Sequence, residues 1–354
     1  MEKFYNYFSP SEYTLDLHIN YDKTKLSGTT TIRGEVKQSP IKLHAVDMKI
    51  ISIKLDGNDV DFKFEHGEIE INTERGNHKI EITHSAEVQA DMQGAYLSTY
   101  KVAGEEKRML TTQFESHYAR EAFPCVDEPE AKARFTIIIT SDDAKDIILS
   151  NMPVEDEQIV GESKRVRFMQ TPPMSSYLVA FIASELVSYE TKSRHGVKIT
   201  AYATPAQNVS DLKIGGDFAA DVLDYYDGLF KVPYPLPKLD LVAIPDFDAG
   251  AMENWGLMTF REVAMLANEK SSTEQKIYIS TVIAHEISHM WFGDLVTMKW
   301  WDDLWLNESF ANTMELYATA KVRPEYDAWD DFYTGTVQLA LRRDCLPGVQ
   351  PVRV

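Results

Sequence analysis

Cysteine is scarce. Only Cys125 and Cys345 occur in 354 residues, far apart in sequence, so no disulfide framework is implied. Neither has the CxxC spacing of a structural zinc site. No apolar run approaches the length of a membrane span, and the opening MEKFYNYFSPSEY lacks the apolar core of a signal peptide. A cytoplasmic protein without a membrane partner is therefore expected. Basic residues are also short, with 36 Lys+Arg against 55 Asp+Glu, a net charge of −19 and a sequence pI near 4.9. Phosphates are repelled over most of such a surface, which argues against a nucleic-acid partner. The same acidity is compatible with substrates that carry a positive amino terminus. What remains, 44% hydrophobic and 26% charged, is an ordinary globular composition. The chain is long enough for two or three domains with substantial cores.

The most informative stretch is TVIAHEISHMWFGDLVTMKWWDDLWLNESFAN, residues 281–312. On a helix, His285 and His289 leave the same face one turn apart, the separation at which two imidazoles can share one tetrahedral metal ion. Glu286 is rotated away from that ion but can reach a water bound to it, where a general base is needed. A hydrolytic site wants a third protein ligand and one open position. Glu308, on a second helix facing the first, is the candidate. Glu315 lies on the same face of that helix, where it could orient a ligand histidine. The competing reading is a pair of helix histidines satisfied by neighbouring carboxylates, with Glu315 an ordinary solvated glutamate. The apolar flanks Val282-Ile283-Ala284 and Met290-Trp291-Phe292 weigh against it, because unpaired imidazoles in a buried helix are costly.

Residues 1–187 read as a β-rich domain. Tyr13, Leu15, Leu17, Ile19 and Tyr21 alternate with polar residues. Further strand-like runs are 29–37, 41–46, 50–55, 60–64, 68–72, 79–83, 135–140, 147–150, 165–170 and 177–183. Many short strands in series predict a sandwich or barrel-like domain. Residues 112–129 break the pattern with polar and aromatic groups and two prolines, and read as a functional loop. From 188 to 354 the style changes. A helix is expected near 210–230, strands at 197–204, 239–244 and 257–261, the metal helix with a Ser272/Gln275 capping box, a helix at 304–322 stopped by Pro324, and a third at 327–341. This predicts an α+β catalytic domain of thermolysin-like form.

Three motifs now stand in order: Gln113-Phe114-Glu115 followed by Phe123-Pro124-Cys125-Val126-Asp127-Glu128-Pro129; Gly250-Ala251-Met252-Glu253-Asn254; and His285–His289 with Glu308. Together they resemble the M1 family of zinc aminopeptidases, the aminopeptidase N group. The resemblance covers essentially the whole chain. It implies an all-β, saddle-like N-terminal domain followed by a thermolysin-like zinc metallopeptidase domain. It also implies one Zn²⁺ per chain on His285, His289 and Glu308, with Glu286 activating water. Glu253 and Glu115, with Gln113 nearby, would hold the α-amino group of a peptide substrate with a free N-terminus. Met252 would line the pocket for the first side chain, and Gly250 and Ala251 would offer backbone hydrogen bonds. Taken alone, Glu253 could be a solvated loop glutamate.

The family's Tyr-x-Lys-Gly motif, whose tyrosine holds the oxyanion, does not occur here. The expectation is an N-terminal portion of such an enzyme, with a catalytic domain incomplete at its C-terminus. A missing C-terminal region or a separate chain would be its partner, and turnover would be impaired. An endopeptidase or epoxide hydrolase on the same scaffold, and a zinc- and peptide-binding fragment without efficient turnover, are the competing functions.

Overall fold

Alternation of apolar and polar residues decides the first half. In the computed structural model, which describes residues 2–349, Tyr13, Leu15, Leu17 and Ile19 are at most 1% exposed. Each fully buried aliphatic side chain contributes about 1.5–3 kcal/mol relative to an exposed one. Their strand, Phe8–Ile19, lies inside an eight-stranded sheet whose order is 154–160, 163–168, 134–141, 8–19, 25–36, 76–87, 48–55, 58–59. It runs parallel to Arg134–Ser141 and antiparallel to Lys25–Val36. A four-stranded sheet (147–150, 181–184, 105–113, 94–102) and a three-stranded one (41–44, 68–71, 63–65) complete this part. The result is a set of open, stacked sheets rather than a single closed barrel.

Several elements differ from the sequence reading. The expected strand 60–64 is split into Asn58–Asp59 and Lys63–Glu65. The run 177–183 begins as a 3₁₀ turn, Ser176–Leu178, and becomes a strand only at Phe181–Ser184. The hairpin formed by Gly94–Val102 and Glu105–Gln113 went unread, because its sequence carries no alternation strong enough to mark it. Strand Val154–Val160 also went unread. It is exposed along its whole length, so no buried face imprints a pattern on it.

Sheet membership changes between Ser184 and Val187. From there on, strands pair as 187–192, 198–203, 238–244, 257–261, 251–252 in a five-stranded sheet. Its central strand, Lys238–Ile244, is buried at every position, as expected for a strand covered on both faces. Helix α1 (Lys213–Phe230) packs on strands 187–192 and 198–203, α2 (Thr273–His289) packs on α1 and touches strand 251–252, and α3 (Leu304–Val322) packs on α2 and α1. Ser272 caps α2 by accepting from the Gln275 backbone N–H at 3.2 Å. The reciprocal arm of the expected capping box is absent, because the Gln275 side chain donates to the Val263 carbonyl instead. The expected third helix is broken: Ala328–Phe332 passes through a π turn at Tyr333–Val337 into Gln338–Asp344.

Buried polar contacts lock the two parts together around one loop. Lys238 Nζ donates to Asp240 Oδ2, the Ser150 carbonyl and the Gly256 carbonyl, all at 2.7 Å. Asn151 Nδ2 donates to the Trp255 carbonyl at 3.0 Å, and Tyr96 donates to the Asp246 carbonyl at 2.8 Å. All of these anchor the ends of the segment 246–256, which carries Glu253.

Candidate metal centre and substrate cleft

Helix geometry makes the first half of the site. The rings of His285 and His289 stand 4.7 Å apart on successive turns of α2. Helix α3 lies alongside, helped by Phe292 stacked on Phe310 at 4.8 Å. This packing brings Glu308 Oε2 to 3.3 Å from His285 Nε2 and 3.9 Å from His289 Nε2. Donor atoms of His285, His289 and Glu308 lie within 4.8 Å of one another.

The outer nitrogen of each histidine is held. His285 Nδ1 lies 2.8 Å from Glu315 Oε2. His289 Nδ1 lies 2.7 Å from Asn307 Oδ1 and 3.0 Å from the Phe292 carbonyl. These acceptors call for a proton on Nδ1 of each ring, so that Nε2 is the nitrogen each neutral ring would offer a metal ion.

Electrostatics favour a cation at this spot. Burial opposes a second proton on His285, yet hydrogen bonds to Glu308 and Glu315 and the nearby Glu286 charge outweigh it and push its pKa up to about 11. A metal ion would satisfy the same carboxylates with the same sign of charge. Two neutral-capable imidazoles and one carboxylate, with both imidazoles held from behind, fit a hydrolytic metal centre.

Glu286 sits beside this set, 5% exposed, with Oε2 buried and without a partner among the described residues. Burial first, then the charges of Glu253, Glu308 and Glu315, raise its pKa well above the usual carboxylate value, against the pull of His285. Carboxylate or imidazole atoms of Glu253, Glu286 and His289 lie within 4.8 Å of one another, as do those of Glu115, Glu253 and Glu308. Glu115 is likewise pushed up, first by burial and then by Glu253, Glu308 and Glu286. Glu115 and Glu253 repel one another at this separation, and a positive group held between them would relieve that repulsion.

The 112–129 segment is only in part a loop. Gln113 ends a strand, and a 3₁₀ turn follows at Ala119–Glu121. Gln113 Nε2 donates to Met252 Sδ at 3.2 Å, while its Oε1 is buried without a partner. Ala251–Met252 pairs with Thr259–Phe260 as a short edge strand. The Gly250 carbonyl accepts from Arg261 N–H at 2.9 Å, so that oxygen already has a partner within the chain.

Sequence reasoning missed two residues here. Asn307 is buried and touches both His289 and Glu253. Asp294 is fully buried with both carboxylate oxygens unpartnered. Lys132 donates to its backbone carbonyl at 2.8 Å. An asparagine in a helix and an aspartate after a glycine carry no signal of their own.

The sheet-rich domain, the paired helices and the His–His–Glu donor set define a metallopeptidase architecture. Residues 9–178 match the Peptidase M1 N-terminal domain and residues 216–354 the Peptidase family M1 domain. The chain belongs to peptidase family M1. It is 44% identical to aminopeptidase N of Lactobacillus helveticus, over 100% of this chain and 42% of that protein. It is 43% identical to aminopeptidase N of Lactococcus lactis subsp. lactis (strain IL1403), over 98% of this chain and 41% of that protein. To "Aminopeptidase 2, mitochondrial" of Saccharomyces cerevisiae it is 38% identical, over 98% of this chain and 38% of that protein. The chain thus spans about two fifths of the length of these relatives. No helix among the described residues is long and apolar enough to cross a membrane.

Proposed function

We propose that this chain carries the zinc and amino-terminal recognition site of an aminopeptidase, which removes the first residue of peptides. The observation that carries the reading is the adjacency of two sets that share Glu308: the donors His285, His289 and Glu308, and the carboxylates Glu115, Glu253 and Glu308. Zinc at the first set would polarise a scissile carbonyl and lower the pKa of a water. Glu115 and Glu253 would hold the substrate ammonium through charge-assisted hydrogen bonds. Their position beside the metal set would place the first peptide bond at the metal and limit cleavage to it. Glu286, its Oε2 free of partners among the described residues, would take the water's proton and deliver it to the leaving nitrogen. Gln113 Oε1 offers a further acceptor near Met252. The buried Glu253 and half-buried Glu115 beside the metal set favour recognition of an amine over the endopeptidase and epoxide hydrolase readings.

The test measures zinc content and hydrolysis of alanine p-nitroanilide and its N-acetyl form. His289→Ala should lose the metal, and Glu286→Gln should keep it and lose hydrolysis. Equal zinc in wild type and His289→Ala overturns the metal assignment. Equal hydrolysis of free and acetylated substrates overturns the aminopeptidase reading.

A further inference from the structure

We infer that Asn307 is a positioning residue that couples the metal ligand His289 to the amine-binding carboxylate Glu253. The inference rests on the proposed function and adds a residue to it. Asn307 is 3% exposed, beneath an open, mostly apolar surface pocket bordered by Phe292, Met298, Leu306 and Phe310. A buried amide must find its hydrogen bonds within the fold. It finds two: Nδ2 donates to Glu253 Oε1 at 3.1 Å, and Oδ1 faces His289 Nδ1 at 2.7 Å.

The chemistry of the partners sets the direction. An ionised carboxylate only accepts, so Glu253 fixes which end of the amide carries the NH₂. The oxygen must then face His289, and His289 must hold its proton on Nδ1. The Phe292 carbonyl, 3.0 Å from the same nitrogen, asks for the same tautomer. His289 Nε2 is thereby the nitrogen the neutral ring would offer a metal ion. Anchor, amide and ligand form one chain of hydrogen bonds with a single consistent polarity, and such chains polarise one another. The fold makes room for the bridge at Gly293. A Cβ there would stand 2.4 Å from Asn307 Oδ1, and the backbone at Gly293 has φ +138°, where side chains are strained.

If the bridge transmits, zinc and a bound ammonium alter each other's affinity, and the effect is reciprocal. The test is a cycle of Asn307→Leu, Glu253→Gln and the double variant. Zinc affinity is read by chelator competition, and Kd at saturating zinc is read for alanine hydroxamate and its N-acetyl form. Asn307→Leu should weaken zinc about 10–100-fold, the usual cost of losing a ligand's outer partner. Its preference for the free amine over the acetylated form should fall at least about tenfold as Glu253 loses its hold. In the cycle, the two substitutions should be non-additive by at least about fivefold in zinc affinity, as expected for residues of one network. A merely structural asparagine would lower zinc affinity but leave the Glu253 effect unchanged. Asn307→Ala repeats the cycle without added bulk should the leucine variant fail to fold. Additive effects within about twofold overturn the coupling while the proposed function stands, provided wild type binds zinc and prefers the free amine. A wild type that does neither overturns both.

Discussion

Glu315 Oε2 lies 2.8 Å from Nδ1 of His285, on the side of the ring away from Glu308. A carboxylate behind a ligand histidine fixes its tautomer and raises its basicity. Glu315→Ala should therefore weaken zinc about 10–100-fold while the fold persists. Chelator competition measures it. An unchanged zinc affinity would show that the ring is held by helix packing alone.

Glu115 and Glu253 predict a split between binding and folding. Replacing either with Gln should weaken ligands with a free amino terminus by roughly 1.5–3 kcal/mol, the worth of a hydrogen bond to a charged group. N-acetylated ligands should bind as before. Calorimetry with the paired ligands decides this, and equal losses for both would remove the amine anchor from the reading.

Two histidines remote from the cleft predict acid sensitivity. Burial, then the Arg120 charge, lowers His44 to about 3, and the Asp127 amide donates to its Nδ1 at 3.2 Å, which requires the neutral ring. Burial lowers His84 to about 4. Unfolded, both take up protons near 6.5. Below that pH the unfolded chain binds more protons than the folded one, so stability is full above pH 6.5 and falls as pH drops toward 4 and 3. The slope should be about 1.4 kcal/mol per pH unit for each histidine once the unfolded ring is fully protonated. Glu115, Glu286 and His285, all raised in the fold, act in the opposite sense, so the test is the stability difference between wild type and His84→Gln in urea between about pH 7.5 and 5, which should change by up to about 1.4 kcal/mol per pH unit. A difference between the two proteins that does not change with pH would mean that His84 titrates in the fold as it does unfolded.

Lys238 joins both parts of the chain, and its ammonium is buried against Asp240. Desolvation acts on both members, lowering the lysine and raising the aspartate, and their mutual attraction works against each shift. Lys238→Met leaves Asp240 unpaired and should cost about 3–5 kcal/mol, whereas a double replacement by apolar residues should cost far less. Denaturant midpoints of the single and double variants test this, and a mild single variant would contradict it.

How much of this was legible in the sequence depends on the range of the interaction. The spacing of His285 and His289, the stop at Pro324 and the span Leu304–Val322 follow from local rules, because helix periodicity and proline chemistry act within a few residues. The alternation of Tyr13, Leu15, Leu17 and Ile19 marks the second half of strand Phe8–Ile19 in the same way, whereas Tyr21 lies past its end and is 65% exposed. Strand Val154–Val160, exposed throughout, had no buried face to write a pattern. The Gln275 side chain could complete a local cap or reach Val263, and only the fold chose the second.

The donor types and the helix that carries them were determined by the sequence alone, since one turn of helix sets where two imidazoles stand. Tertiary structure decided what surrounds them. Glu115 meets Glu253 and Glu308 only because a strand end from the first domain and a loop from the second converge on the same two helices. Asn307 becomes a bridge only when α2, α3 and the Glu253 loop close around it. Those contacts join residues far apart along the chain, and burial in a shared core, which no local pattern encodes, is what brings them within hydrogen-bonding distance.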